Sequence, residues 1–139
     1  MKESNPKEEL VETNEDIWQL EVPIIYLVAP IQEGTSQEVM LEFVGHFKNT
    51  STWDGNIGLA AHNRGYPINY FSRLKELKIG DEIIYKTKFG TKTYSVEIIK
   101  IIEDTNWSYL QETNDNRITL ITCVENQPNQ RLCIQGIEI

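Results

Sequence analysis

Short apolar segments, each closed by a turn-forming residue, are the feature that most limits how this chain can fold. Trp18, Leu20 and Val22 alternate with polar residues, a spacing typical of a half-buried strand, and Pro23 ends the segment before a second apolar run at 24–29. Similar segments recur along the chain, and they do not alternate with long amphipathic helices. This pattern favours a mostly antiparallel sheet over an α/β fold.

The middle of the chain predicts a buried strand and a hairpin. Residues 57–61 are small and apolar and end at His62, so we expect a buried strand that delivers a histidine at its end. Residues 82–86 and 93–102 flank a Phe89-Gly90-Thr91 turn. In the second of these strands, alternation predicts one inward face, made of Tyr94, Val96 and Ile98.

The last two strands are predicted at 118–123 and 131–139, joined by a loop at 124–130. The apolar phase shifts at Gln135-Gly136, which indicates a bulge. Seven or eight strands in all, with two short helices, predict a mostly antiparallel β-barrel.

Two short helices are expected between the strands. Thr35-Ser36-Gln37-Glu38 has the spacing of a capping box, and Val39, Met40, Phe43 and Val44 then share one helical face. A second helix is predicted where Phe71, Leu74 and Leu77 recur at helical spacing, with Asn69 as its cap and Gly80 at its end.

The length and the net charge of the chain limit the kinds of function that it can have. A chain of 139 residues is long enough for one domain, which we place at 17–139, behind a polar flexible leader at 1–16. A formal net charge of -8 argues against nucleic acid or an anionic membrane surface as a partner. Two histidines and two cysteines are too few for a His-based metal centre or a disulfide framework, so we expect neither metal nor cofactor.

Three residues can supply acyl-transfer chemistry. Cys123 ends one predicted strand and Arg131 begins the next, so antiparallel pairing brings them to the same end of the sheet. A cysteine nucleophile needs a base, which His62 can provide, and a developing oxyanion needs donors, which a planar guanidinium can provide. Each residue alone is ordinary; the combination indicates a catalytic site.

The motif Thr119-Leu120-Ile121-Thr122-Cys123 resembles the sortase nucleophile signature Thr-Leu-x-Thr-Cys, with the arginine eight positions later. Residues 56–62 resemble the strand that presents the sortase histidine, although Ala61 stands where the family commonly has glycine. Residues 20–23, 29–31 and 77–81 resemble other parts of that barrel, so the likeness covers roughly residues 17–139.

The resemblance implies a closed eight-stranded sortase-type barrel and a cysteine transpeptidase that cleaves a Leu-Pro-x-Thr-Gly-like sorting signal between Thr and Gly. Cys123 would be the nucleophile, His62 the acid and base, and Arg131 the oxyanion donor. Ala60, Thr119 and Ile121, with Thr122, match positions that bind the signal. The partners would be the sorting signal of a secreted surface protein and an amine of the cell wall or a pilin.

The same resemblance places the enzyme on the outer face of a Gram-positive cell membrane, held by an N-terminal helix that these 139 residues lack. A short connection before the cysteine strand and the lack of a long N-terminal lid favour class A or D over classes B and C. Residues 48–58 offer only Asp54 as a carboxylate ligand, so we predict calcium independence.

Other interpretations remain open from the sequence. A non-catalytic β-barrel binding module would use Cys123 and His62 structurally, and a wall L,D-transpeptidase would need Ser-His-Gly before its cysteine, which Thr122 and Ile121 do not match. Cys133 could form a disulfide with Cys123, although a buried free thiol is the favoured interpretation. A redox role is weaker because the spacing is not Cys-x-x-Cys.

Overall fold

The structure is a computed structural model that describes residues 17–139, and these form a closed barrel of eight strands. The predicted fold class is therefore confirmed. The predicted polar leader, 1–16, lies outside the described residues. The strands are β1 (Trp18–Val22), β2 (Leu27–Glu33), β3 (Val44–His46), β4 (Asn56–Ala60), β5 (Glu82–Thr87), β6 (Gly90–Glu103), β7 (Arg117–Val124) and β8 (Gln127–Glu138).

The order of strands around the barrel is β1-β2-β3-β4-β7-β8-β6-β5. The β2/β3 and β4/β7 pairs are parallel and all the other neighbours are antiparallel. The parallel β4/β7 pair is important for the site, because it places the ends of two distant segments, 56–60 and 117–124, side by side.

The barrel interior is filled by the inward residues of every strand, as alternation requires. Leu20 and Val22 of β1 are fully buried, which confirms the predicted strand. The other large side chains in the interior include Leu59, Tyr85, Tyr94, Leu120 and Ile134. This core fixes β4, β7 and β8 from the inside and leaves their outer faces for other contacts.

Both predicted helices are shorter than expected. Helix α1 is a single turn, Gln37–Met40, whose N-cap is Ser36: its hydroxyl accepts the Val39 N–H at 3.2 Å. Val44 belongs to β3 instead, where strand pairing with Ile31 fixes it. The segment behind Asn69 contains only a 3-10 turn, Leu74–Glu76, and the Asn69 side chain donates to the Tyr66 carbonyl rather than capping a helix.

The bulge lies on β6, not on β8 as predicted. Val96 pairs with Gly136 and Ile98 with Gln135, so Glu97 is the extra residue. This bulge reverses the phase of β6. Ile98, which was expected to follow Val96 inward, pairs instead with the outward-facing Gln135 and is only half buried.

The predicted loop 124–130 is also shorter than expected. Strand β8 begins at Gln127, which pairs with Val124 around a two-residue turn where Asn126 has a φ of 62°. Cys123 pairs with Arg131, so residues 128–130 form a wide irregularity in β8 between these two pairs. The bulged segment lies directly beside the candidate site.

Within residues 17–139, no helix is both long enough and apolar enough to cross a membrane.

Candidate active site

The outer faces of β4, β7 and β8 form a surface that we call the groove floor. Its residues lie in three rows. A polar row consists of Asn56, Thr119 and Gln135; an apolar row of Ala60, Ile121 and Cys133; and a reactive row of His62, Cys123 and Arg131. Strand register aligns most of these residues, since Thr119 pairs with Gln135, Ile121 with both Ala60 and Cys133, and Cys123 with Arg131. Asn56, which pairs with Arg117, reaches the polar row through its side chain, and His62 lies beyond the end of β4.

In the reactive row, Cys123 is exposed at the end of β7 and faces Arg131 directly across the antiparallel pair. The Arg131 Nη1 atom donates to the carbonyls of Pro128 and Gln130, at 3.0 and 2.8 Å. Both carbonyls belong to the irregular segment of β8, which therefore orients the guanidinium. Within residues 17–139 the Nε and Nη2 atoms make no hydrogen bond, so these donors can serve a ligand.

His62 follows β4 by two residues and lines the same cleft as Cys123 and Arg131. Its ring stacks on Tyr66, with centroids 3.6 Å apart and planes 11° from parallel. Burial lowers the pKa of His62 from its ordinary value, because the charged imidazolium loses hydration there. Within the described chain its Nε2 atom is buried and has no hydrogen-bond partner, so a substrate group could reach it only if the side chains that cover it moved aside.

Two residues of the segment after His62, which sequence reasoning treated only as a turn, complete this row. Tyr66 covers the imidazole, as described above. Asn63 donates its side-chain N–H to the Cys123 carbonyl at 2.6 Å and so ties the histidine segment to the nucleophile strand. The Asn63-Arg64-Gly65 sequence was a turn signal, and nothing in its spacing indicated either contact.

The apolar row contains two of the residues predicted to bind substrate, Ala60 and Ile121, and both line the cleft. Cys133 completes it as a fully buried free thiol, whose pKa burial raises to about 12. Cys123 is also free, so the structure agrees with the favoured interpretation of unpaired cysteines. Thr122, also predicted to bind substrate, lines the cleft, but its hydroxyl donates to the Ala61 carbonyl at 2.8 Å.

Thr119 lies outside the lining of the cleft. It was expected to line the substrate groove, but its side chain is fully buried and does not line the cleft. Its hydroxyl donates to Asn56 Oδ1 at 2.7 Å and accepts from Gln135 Nε2 at 3.0 Å. The alternation that places it on the same face as Cys123 was predicted correctly; the segment that covers it could not be seen in the sequence.

That covering segment is the β6–β7 connection, which includes a 3-10 turn at Ser108–Leu110. We call Trp107–Leu110, together with Phe47 from the β3–β4 loop, the roof. Leu110 and Phe47 pack on the apolar row, and Trp107 meets Phe47 edge to face with centroids 6.4 Å apart. The cleft between floor and roof has a volume of about 370 Å³.

This arrangement has the parts that acyl transfer requires. An exposed thiol, a titratable imidazole and a fixed cation share one end of the cleft, and an apolar channel leads away from them. A carbonyl placed over Cys123 would have the Arg131 donors on one side and His62 available for its leaving group.

A family model of the sortase domain matches residues 20–138. The chain belongs to the sortase family. Sortase A of Bacillus anthracis is 27% identical over 116 residues, which are 83% of this chain and 55% of that protein. Sortase D of Bacillus subtilis is 34% identical over 108 residues, 75% of this chain and 52% of that protein. The chain thus spans about half the length of these sortase relatives.

Solved sortase structures share the barrel. A pilus-related Sortase C of Group B Streptococcus superposes with a TM-score of 0.84 at 32% identity, covering 94% of this chain and 71% of that one. The relatives therefore carry three class names: A, C and D.

Proposed function

We propose that this chain is the catalytic part of a cysteine transpeptidase that cleaves a Leu-Pro-x-Thr-Gly-like sorting signal between Thr and Gly. The acyl product would then be joined to an amine of the cell wall or of a pilin. The observation that carries the proposal is the pairing of Cys123 with Arg131 at the end of a cleft that His62 also lines.

In the first step, the thiolate form of Cys123 attacks the threonine carbonyl of the signal and forms a tetrahedral intermediate. The Arg131 guanidinium donates to the oxygen as it becomes negative. Protonated His62 gives its proton to the glycine nitrogen as the C–N bond breaks, which leaves a thioester on Cys123. Because burial lowers the pKa of His62, only a small fraction of the imidazole is protonated at neutral pH.

In the second step, His62 accepts a proton from an incoming amine, which attacks the thioester and releases Cys123 as its thiol or thiolate. Asn63 and Tyr66 support both steps, since one holds the histidine segment against β7 and the other fixes the imidazole plane. Water would replace the amine slowly when no acceptor is bound.

The apolar row and the roof fit the part of the signal that precedes the threonine. Ala60 and Ile121 line the channel beneath Leu110, which suits a leucine followed by proline. Thr122 would contribute through its backbone at the end of β7. Thr119 would act indirectly, through the roof.

For the class we propose an A- or D-like enzyme, on the basis of the short connection before the cysteine strand; relatives named Sortase A, Sortase C and Sortase D each match most of this chain. The pilus-related structure supports the same barrel and keeps a pilin lysine among the acceptors to be tested. We further propose that the protein works at the outer face of a Gram-positive cell membrane, held there by an N-terminal anchor.

Mass spectrometry tests the activity directly. The protein is incubated with a panel of Leu-Pro-x-Thr-Gly-type peptides and two acceptors, a wall-type peptide amine and a lysine side chain. We expect cleavage between Thr and Gly, ligation to one acceptor, and an acyl adduct on Cys123. Cys123→Ala should abolish all three.

Cys133→Ala is the matched control, because it removes the other thiol, which is fully buried and does not line the cleft. It should retain cleavage. If a folded wild-type protein cleaves no peptide and its Cys123 resists alkylation, the transpeptidase proposal is wrong and a binding module is favoured.

A further inference from the structure

The polar row of the groove floor holds the roof through a closed set of buried hydrogen bonds. Asn56, Thr119 and Gln135 come from three different strands and are each no more than 3% exposed. All three side chains meet beneath the carbonyl groups of Tyr109 and Gln111. Buried polar groups of this kind are costly unless every donor and acceptor has a partner.

The chemistry of the neighbouring groups decides which atom of each side-chain amide donates and which accepts. Asn56 Nδ2 donates to the carbonyls of Tyr109 and Gln111, both at 2.9 Å, so its Oδ1 is the atom that accepts from Thr119. Gln135 Nε2 donates to the Tyr109 carbonyl and to the Thr119 hydroxyl, both at 3.0 Å. The Tyr109 carbonyl therefore receives two strong donors, which fill both of its lone pairs.

A charged residue fixes the orientation of the glutamine. Arg117 Nη1 donates to Gln135 Oε1 at 2.9 Å and is itself held by Asp115 at 2.7 Å. The Gln135 amide cannot reverse without facing its N–H groups toward the guanidinium. The network thus connects the Arg117–Asp115 pair at the surface to the roof. The Thr119 hydroxyl within it already donates its hydrogen to Asn56 Oδ1.

The network sets the position of Leu110, because Leu110 follows Tyr109, whose carbonyl accepts hydrogen bonds from Asn56 and Gln135. Leu110 Cδ2 would lie only 2.7 Å from a Cβ placed on Gly58, so the roof sits as low over β4 as the absence of a side chain permits. The cleft beneath it is therefore shaped by how firmly Tyr109 is held. A roof that rises would leave the channel wider and less selective.

We propose that Asn56, Thr119 and Gln135 are positioning residues that hold the Tyr109–Leu110 turn down over the channel and so select the apolar side chain of the sorting signal. This inference rests on the proposed transpeptidase function. None of the three residues touches the reacting atoms, so they should affect substrate binding and selectivity more than the chemical step.

Thr119→Val is the sharpest test, because it keeps the shape of the side chain and removes only the hydroxyl. Asn56 Oδ1 would lose its donor and Gln135 Nε2 one acceptor, both in a buried site. We expect KM to rise about tenfold, the equivalent of roughly 1.4 kcal/mol, with kcat changed less than about threefold. The preference for Leu over Ala, Val, Met and Phe in a peptide series should fall by a similar factor.

Hydrogen exchange and a rescue variant separate positioning from general destabilisation. The amides of Leu110 and Gln111, which close the 3-10 turn, should exchange faster in Thr119→Val. Thr119→Ser restores the hydroxyl and should return KM and the exchange rates toward the wild-type values. If Thr119→Val does not fold, Gln135→Met tests the same contacts.

Tyr85→Phe is the matched control, since it removes a buried hydroxyl that bonds to Trp18 and Thr52 outside the groove. It should leave KM and the peptide preference unchanged. An active wild type whose KM and preference are unaltered in Thr119→Val would overturn the positioning role. A wild type that cleaves no peptide would instead contradict the proposed function, while the exchange data would still report whether the network holds the roof.

Discussion

Gly58 lies on the outer face of β4, between Asn56 and Ala60. Replacing it with alanine would create a steric clash with the roof. The new Cβ would lie 2.7 Å from Leu110 Cδ2, 3.0 Å from Thr50 Cγ2 and 3.1 Å from Phe47 Cδ2. Leu110 would have to retreat by about 0.7 Å to reach an ordinary contact of 3.4 Å. The backbone of Gly58 is not in the left-handed region, so crowding is the dominant effect.

Two opposing effects determine how much Gly58→Ala changes the free energy of unfolding. Overpacking by one methyl group costs about 1–3 kcal/mol, and the loss of glycine freedom in the unfolded chain returns about 0.4–1 kcal/mol. We therefore expect Gly58→Ala to lower the free energy of unfolding by about 1–2 kcal/mol. For a domain of this size the corresponding fall in Tm is about 3–8 °C.

Thermal unfolding followed by circular dichroism measures this change, and a double-mutant cycle assigns it. Leu110→Ala alone removes packing on the apolar row and should also destabilise. In the double variant the alanine at 110 vacates the space that the Gly58→Ala methyl needs. The double variant should therefore lose less unfolding free energy than the sum of the two single losses, by at least about 0.5 kcal/mol.

Additivity within about 0.3 kcal/mol would refute the reasoning, because it would mean that Gly58 and Leu110 do not share the crowded space. A Gly58→Ala variant as stable as the wild type would refute it equally.

Four further predictions concern the reactive residues and calcium. Arg131→Ala should lower kcat about 10²–10³-fold and Arg131→Lys less, as measured by steady-state cleavage of a sorting peptide. Tyr66→Ala should raise the pKa of His62, because hydration of the imidazolium returns, so the acid limb of the kcat/KM profile should move to higher pH. Iodoacetamide at neutral pH should modify Cys123 and spare Cys133, since burial raises the pKa of Cys133 to about 12; peptide mapping checks this. Calcium or a chelator should leave kcat/KM unchanged, because the Asp54 carboxylate is already paired with Lys92 Nζ at 2.9 Å.

Much of the fold was predictable because local patterns determine it. Alternation identified β1, apolar runs identified β4 and the two strands that carry Cys123 and Arg131, and the register of Cys123 with Arg131 followed from antiparallel pairing. The errors arose where tertiary contacts overrule local signals. Helical spacing at Phe71, Leu74 and Leu77 produces only a 3-10 turn, and Glu97 carries the bulge that the sequence indicated on β8.

The candidate site was only partly predictable. Its three reactive residues could be selected from strand ends and from the resemblance of residues 119–123 to a known motif. Asn63, Tyr66, Asn56 and Gln135 could not, because their contacts join segments separated by many residues, and no sequence period encodes them.

Strand β7 contributes alternate residues to the barrel core and to the outer face of the barrel. Ile118 and Leu120 face the barrel interior, while Thr119 and Ile121 face outward beneath the roof, and of these two only Ile121 lines the cleft. Adjacent positions therefore have different environments, one in the barrel core and the next on the outer face of the barrel. Under the proposed function, a library that randomises position 121, which lines the cleft, should alter peptide preferences with less loss of folded protein than a library that randomises 118 or 120 in the barrel core.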